Sequence, residues 1–162
     1  MEKSRFEKPS AEKLTFEEVL DRDGVLVFTN KGVSMEPLIH QGRDLMIIKK
    51  RDPKLRCKKY DVVFFKRDND QHVVHRILKL LPEAYWIVGD NCISGEYVRE
   101  EQVLGILSGV KRKSKNLDFQ GNFLYWVYVH TWCACYPLRF FILKRKNFLI
   151  RCLSWLKRHL CS

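Results

Sequence analysis

Short apolar runs separated by turn residues dominate the middle of the chain. Six runs rich in β-branched and aromatic residues cover residues 25–29, 45–48, 61–66, 71–80, 85–88 and 103–110. The runs at 61–66 and 71–80 flank the polar turn of residues 67–70, which predicts a hairpin. Because little helical pattern separates the runs, they predict a mainly β domain over residues 25–110 with an antiparallel, closed or partly closed sheet.

A short helix is predicted before the first strand, within a separate N-terminal segment of residues 1–24. Apolar residues recur at roughly helical spacing at Leu14, Val19 and Leu20. Ser10 can cap the N-terminus of this helix, and Gly24 suits the left-handed conformation that often follows a helix. No apolar run typical of a signal peptide follows the initiating Met, so we do not expect this end to anchor or export the chain.

Residues 111–162 form a third segment of different character. Residues 121–138 carry no formal charge and are just long enough to cross a thin bilayer, although His130 and Pro137 make a weak span. Residues 140–160 are amphipathic, with one helical face shared by Phe141, Phe148, Leu149, Cys152, Leu153, Leu156 and Leu160. A basic amphipathic helix that contains Trp155 favours contact with anionic lipid. Packing of this helix on its own domain is the alternative.

The charge is concentrated in this third segment. The chain has 162 residues with 30 Lys or Arg, 19 Asp or Glu and a formal net charge of +11. Eleven of the basic residues and only one acid lie in residues 111–162, so the rest of the chain is nearly neutral. A nucleic-acid-binding domain would be expected to carry basic residues on its folded part as well. We therefore predict no nucleic-acid partner.

Length and composition exclude several classes of protein. The chain is long enough for one domain, and its 46% hydrophobic and 12% aromatic residues argue against disorder over the whole length. The six cysteines are scattered, which favours free thiols over a disulfide framework. The chain lacks a Gly-rich phosphate loop, a His-Glu-x-x-His motif and a carboxylate cluster, so no metal or cofactor is expected.

The strongest candidate for a reactive residue is Ser34. Gly32 allows a tight backbone approach, and Pro37 disfavours the α conformation at Glu36, which predicts an extended segment. This segment could present the Ser34 hydroxyl at a strand edge, with nearby backbone amides free to bind an oxyanion. The alternative is an ordinary turn serine.

A serine nucleophile needs a base, and His75 is the candidate. On the β period His75 shares a strand face with Val73 and Ile77, so it could equally be a core histidine. Asp90 ends the fifth run and could hold an imidazole in the correct tautomer, or could simply belong to a turn. Glu96 is a second candidate for that acid.

Four motifs in this order carry a resemblance to a known family. They are Gly-Val-Ser-Met-Glu-Pro, Tyr-Asp-Val-Val-Phe-Phe, Val-Val-His-Arg-Ile and Val-Gly-Asp-Asn. Together they resemble the signal-peptidase and LexA-like serine peptidase superfamily over roughly residues 25–110. The common bacterial signal peptidases use a Lys base, whereas the His form is similar to the endoplasmic-reticulum, archaeal and sporulating-bacterial signal peptidases.

The resemblance implies a role for each matching residue. Ser34 would be the nucleophile, His75 the general base and Asp90 the acid, with Asp90 favoured over Glu96. Ser34 and Met35 would bind the oxyanion or substrate. The implied fold is a mainly β, partly closed domain of the signal-peptidase type, and the implied activity is cleavage of signal or precursor peptides with small side chains at P1 and P3.

Alternative functions and locations stay open at this point. Signal peptidases normally have a membrane span before the catalytic serine, and no such span precedes Ser34. A LexA-like regulatory peptidase that cleaves itself or a partner is one alternative, and a non-catalytic peptide- or lipid-binding module is another. We expect a peptide substrate and contact with a membrane surface through the tail. The expected location is membrane-associated, with a cytoplasmic or peripheral location as the alternative.

Overall fold

All six strands predicted from the apolar runs are present, with ends that differ by at most two residues. The structure is a computed structural model and describes residues 14–119 and 121–160. The described elements are α1 (Phe16–Asp23), β1 (Val25–Thr29), β2 (Asp44–Lys50), β3 (Val62–Lys66), β4 (His72–Leu80), β5 (Ala84–Val88), β6 (Gly95–Arg99), a 3₁₀ turn (Glu100–Gln102), β7 (Val103–Arg112), β8 (Lys115–Asp118), α2 (Phe123–Tyr128), a π-helical turn (Val129–Cys133) and α3 (Tyr136–Leu160).

The N-terminal helix begins later than predicted. Ser10 lies outside the described residues, and the N-cap of α1 is Thr15. The Thr15 hydroxyl accepts a hydrogen bond from the N–H of Glu18, and the Glu18 carboxylate accepts one from the N–H of Thr15. This reciprocal capping satisfies two donors at the helix start. The predicted end is confirmed, because Gly24 adopts the left-handed conformation with φ of 70°.

The strands form one antiparallel sheet in the order β1-β2-β7-β3-β4-β5-β6, and β8 pairs with β7. The predicted antiparallel β architecture is confirmed, but the sheet does not close, because β1 and β6 lie at opposite ends of the described strand order. Segments outside the strands cover its apolar faces instead. Leu20 of α1, Met35 and Cys57 are examples of such covering residues, and all three are buried.

Two strands escape the sequence pattern, β6 and β8. The pattern predicts a basic hinge at residues 111–115, whereas the structure has a hairpin in which β7 turns at Lys113 into β8. The predicted domain boundary after residue 110 therefore falls inside β7. Both missed strands are short and polar, so neither carries an apolar run of the kind that predicted the other six.

Strand β3 supplies side chains to two hydrophobic cores, one on each side of the sheet. The first core contains Leu20, Leu26, Met35, Ile39, Met46, Ile48, Val62, Phe64, Val74, Leu107 and Val110. The second core contains Cys57, Val63, Phe65, Ile77, Tyr85, Ile87, Val98 and Val103. Successive strand residues point to opposite faces, so the four consecutive apolar residues of β3 alternate between the cores. On β4, Val74 belongs to the first core and Ile77 to the second, as the period-2 interpretation predicts.

The C-terminal segment folds into helices of unequal length. The uncharged residues 121–138 divide into α2, the π-helical turn and the first residues of α3. Within residues 14–119 and 121–160, no helix is both long and apolar enough for a transmembrane span. The predicted amphipathic helix at 140–160 is confirmed and begins earlier, at Tyr136. The five cysteines in the described part of the chain are free thiols, and Cys161 lies outside it.

Candidate active site

Met35 anchors the loop that carries Ser34 to the first hydrophobic core. The Met35 side chain is fully buried in the first core, which fixes the backbone of its neighbour. Two backbone hydrogen bonds close the loop into turns, from the N–H of Glu36 to the carbonyl of Val33 and from the N–H of Ile39 to the carbonyl of Met35. The predicted extended conformation is therefore wrong, because these bonds fold the chain back at Ser34.

The loop after β5 holds Ser34 from the other side. The N–H of Asn91 donates to the Ser34 carbonyl at 2.8 Å, and the Asn91 side-chain amide donates to the Val33 carbonyl at 3.1 Å. Gly89 lies against the same carbonyl and against the imidazole of His75. A methyl group at Gly89 would lie 2.7 Å from the Ser34 carbonyl oxygen and 3.0 Å from His75 Nε2. The structure thus brings Ser34 and His75 together around Gly89.

Two polar groups of Ser34 are left without hydrogen bonds. Ser34 is partly exposed, and among the described residues neither its hydroxyl nor its N–H has a hydrogen-bond partner. An unoccupied N–H at this position is the kind of donor that an oxyanion requires. The side chain of Met35, the other residue predicted to bind the oxyanion or substrate, lies in the core.

His75 faces Glu96. Its Nδ1 atom lies 3.3 Å from Glu96 Oε1, within ion-pair distance but without a hydrogen bond between them. The His75 side chain is 11% exposed. Because Nδ1 faces the carboxylate, Nε2 is the ring nitrogen on the side of Gly89 and Ser34.

Glu96 is held as an anion by a second partner, Arg67. The Arg67 guanidinium donates two hydrogen bonds to the Glu96 carboxylate, from Nε at 2.7 Å and from a terminal nitrogen at 2.6 Å. Burial alone would raise the pKa of Glu96, but contacts with His75 and Arg67 outweigh it and lower the pKa to about 2. Glu96 is therefore ionised at neutral pH, in the state that stabilises an imidazolium.

Asp90, the acid that the sequence favours, contacts Arg76 and Tyr128 and not the His75 ring. Its carboxylate accepts two hydrogen bonds from Arg76, at 2.8 and 2.7 Å, and one from the Tyr128 hydroxyl at 2.9 Å. The Asp90 and Arg76 side chains are fully buried. Among the described residues, the carboxylate within ion-pair distance of the His75 ring is that of Glu96. The structure thus places Glu96, and not Asp90, beside His75.

The strand register explains why Glu96 and not Asp90 reaches His75. Ile77 pairs with Ile87, and Ile87 pairs with Glu96, so these three side chains share one face of the sheet. His75 lies two residues from Ile77 and points to that same face. Arg76 points to the other face, where it meets Asp90.

Residues of the C-terminal segment complete the surroundings of Asp90. The Trp132 indole N–H donates to the Asp90 backbone carbonyl at 3.0 Å, and Arg139 approaches the carboxylate at 3.8 Å. The Tyr136 hydroxyl donates to the carbonyl of Ile93 at 2.7 Å. Asp90 therefore joins the tail to the loop that supports Ser34.

Several supporting residues were missed by the sequence analysis. Arg67, Gly89 and Asn91 all contact a candidate site residue, yet they lie in segments with ordinary turn composition. Only recognition of β6 could have pointed to Arg67, since that strand carries Glu96. In comparisons with known proteins, no protein-family model and no curated sequence matches the chain significantly. Inference about function therefore depends on the geometry of Ser34, His75 and Glu96.

Replacing Asp90 tests its structural role. We expect Asp90→Asn to lower the free energy of unfolding by about 3 kcal/mol or more, because it leaves the buried Arg76 cation without a counter-charge. Urea denaturation followed by circular dichroism measures the change. The matched control is Asp68→Asn, which removes a carboxylate whose side chain is 76% exposed and should cost much less. An Asp90→Asn variant as stable as wild type would contradict this assignment.

The low pKa of Glu96 predicts a pH dependence of stability. Its pKa is about 2 in the folded protein, against an ordinary value of 4.5, so its ionised form stabilises the fold above pH 4.5. That contribution is lost as the pH falls from 4.5 through 2. We expect the difference in unfolding free energy between wild type and Glu96→Gln to be full at pH 7 and to shrink across this window. A difference that stays constant from pH 7 to pH 2 would overturn the expectation.

Proposed function

We propose that the protein is a serine endopeptidase of the signal-peptidase type, with Ser34 as nucleophile and His75 as general base. The observation that carries the proposal is the packing around Gly89. The Ser34 carbonyl and His75 Nε2 both lie against this residue, while His75 Nδ1 faces the ionised Glu96. In space, His75 lies between Ser34 and Glu96, as the base of a catalytic triad lies between its nucleophile and its acid. The four sequence motifs that resemble this superfamily support the same conclusion.

The proposed reaction begins with attack of Ser34 Oγ on the carbonyl carbon of the scissile peptide bond. His75 Nε2 takes the hydroxyl proton as the C–O bond forms, and it then gives that proton to the leaving amine as the C–N bond breaks. Water hydrolyses the resulting acyl-enzyme by the same route. The missing hydrogen bond between Ser34 and His75 is compatible with this role, because such bonds often tighten only when substrate binds.

Glu96 and Arg67 position the base in this proposal. Glu96 faces Nδ1, which leaves Nε2 to accept the Ser34 proton, and its negative charge would stabilise the imidazolium that forms. Arg67 binds both oxygens of the Glu96 carboxylate and so limits its rotation. Asp90 contributes indirectly, because it supports the loop that contains Gly89 and Asn91.

The developing oxyanion would be bound by the Ser34 N–H. This group has no other acceptor among the described residues, and Met35 fixes its direction from the core. A preorganised donor of this kind can contribute about 3 kcal/mol to the transition state. Met35 thus supports the proposed oxyanion site indirectly, because its buried side chain fixes the backbone next to Ser34.

The proposed substrate is an extended segment of a signal or precursor peptide. Such a segment can add as a strand to a sheet edge, where main-chain hydrogen bonds supply affinity. The described strand order leaves β6 at one end, and β6 carries Glu96 beside the candidate base. Small side chains at P1 and P3 are the preference that the family resemblance adds.

Labelling with a serine-directed acylating probe tests the proposed activity. We expect the wild-type protein to be labelled, and Ser34→Ala and His75→Ala to lose labelling, because His75 raises the nucleophilicity of the Ser34 hydroxyl. Intact-protein mass spectrometry measures the adduct, and circular dichroism verifies that each variant is folded.

The two acids serve as matched controls in the same assay. Glu96→Gln should slow labelling by about a hundredfold or more, whereas folded Asp90→Asn should retain most of it. Absence of labelling in folded wild-type protein would reject the peptidase proposal in favour of a peptide- or lipid-binding module. Two fragments formed from purified protein alone would instead favour a self-cleaving regulatory peptidase.

Gly89 gives a steric test of the same site. We expect Gly89→Ala to slow acylation on the order of a hundredfold, because its methyl group would displace the Ser34 backbone or the His75 ring. The control is Gly105→Ala, which crowds the Lys49 carbonyl and Ile48 elsewhere in the sheet. That control should lower stability without a comparable loss of labelling in the folded fraction. Equal labelling rates for the two variants would contradict the proposed position of Gly89.

A further inference from the structure

Within the part of the chain that the structure describes, helix α3 packs on the domain through its first two turns. Arg139 and Leu143 are buried near its start. Beyond Leu143, every side chain that the structure describes in this helix is exposed, except the partly buried Cys152. The greater part of α3 therefore has no packing partner among the described residues.

An isolated helix of this kind is poorly stabilised in water. In proteins, packing of an amphipathic face against other elements supplies most of the stability of a helix. The part of α3 beyond Leu143 lacks such packing among the described residues. The exposed part of α3 carries large apolar side chains, among them Phe148 at 67% exposure and Trp155 at 55%. A surface that covers these side chains would stabilise the helix.

Most of the exposed apolar residues of α3 form one continuous stripe, and Ile150 lies outside it. At 100° per residue, Leu138, Ile142, Leu149, Leu153 and Leu156 fall within a narrow sector of the helix. Phe141, Phe148 and Trp155 widen the stripe on one side, and all of these side chains are exposed.

Basic residues border this stripe. Lys144, Arg151 and Arg158 follow one another at intervals of seven residues and so form a row along one border. Lys146 lies near the other border. Arg145 lies within the stripe itself, where a long side chain can extend its charged end to an interface while its methylenes stay in an apolar layer.

The charge of α3 decides between possible occupants. Residues 136–160 contain seven Lys or Arg and no Asp or Glu. A second copy of the helix would place like charges together, which disfavours a homodimer through this face. A nucleic acid would neutralise the charges but leave the apolar stripe in water. An anionic bilayer offers a surface for both the stripe and the basic rows.

We propose that α3 beyond Leu143 binds in the plane of an anionic lipid bilayer. The apolar stripe enters the boundary between headgroups and acyl chains to a depth of about 5–10 Å, and the flanking basic residues contact lipid phosphates. The buried start of α3 carries Arg139, which approaches Asp90, so the bound helix holds the folded domain close to the surface. This proposal does not depend on peptidase activity, because lipid binding requires neither Ser34 nor His75.

Vesicle flotation of the full chain tests the proposal. The probes are vesicles of phosphatidylcholine alone and of phosphatidylcholine with phosphatidylserine. We expect strong binding to the anionic vesicles only, weakened by salt. Replacing Lys144, Arg151 and Arg158 with Gln should lower partitioning on the order of a hundredfold. Leu149→Asn with Leu153→Asn should also abolish binding, while the charge-preserving control Lys144→Arg with Lys146→Arg should bind like wild type.

The same preparations distinguish the other occupants. Quenching of tryptophan emission by lipids brominated near the headgroups, lost in Trp155→Phe, would support a shallow in-plane helix. Equal binding to neutral and anionic vesicles, or binding unaffected by the Gln and Asn substitutions, would overturn the proposal. So would a stable dimer that Leu149→Asn with Leu153→Asn disrupts, because a second copy would then cover the stripe. Binding to RNA but not to vesicles would overturn it as well.

Discussion

The buried ion pair of Arg76 and Asp90 is the constraint on which the other parts depend. The Arg76 guanidinium donates hydrogen bonds to the Asp90 carboxylate, the Tyr60 carbonyl and the Tyr125 hydroxyl. Its side chain is wholly buried. Two buried charges are tolerated only when each is satisfied. The pair therefore fixes β4, the loop after β5 and the start of the tail in one arrangement. Ser34 and His75 lie next to that arrangement, on either side of Gly89.

In the proposed site the two carboxylates have different roles. Asp90 is fully buried and neutralised by Arg76, so its contribution is to stability and geometry. Glu96 lies at a partly exposed edge, contacts His75 and is ionised, which suits a group that must respond to a change of charge on an imidazole. Asp90 does not reach the base, because it meets Arg76 on the opposite face of the sheet from the His75 side chain.

The sequence predicts the fold well where apolar residues follow one clear pattern, either a continuous apolar run or the alternation of a strand. The six apolar strands and the two faces of β4 follow from β-branched runs and alternation, and Gly24 marks the helix end. It fails for β6 and β8, whose polar residues carry no apolar run. Missing β6 has a direct consequence for the candidate site. Without β6, the pairing of Glu96 with Ile87 cannot be predicted, so its position beside His75 is not foreseen. The Gly-Asp-Asn motif then favours Asp90 as the acid that faces the base.

The alternation of His75 and Arg76 along β4 has a consequence for how this strand can change. These neighbours face opposite sides of the sheet and meet different acids, Glu96 and Asp90. A register slip of one residue would exchange the faces, turning the guanidinium toward Glu96 and the imidazole toward Asp90. An insertion or deletion at the start of β4 would thus separate His75 from Glu96 and Arg76 from Asp90 at the same time.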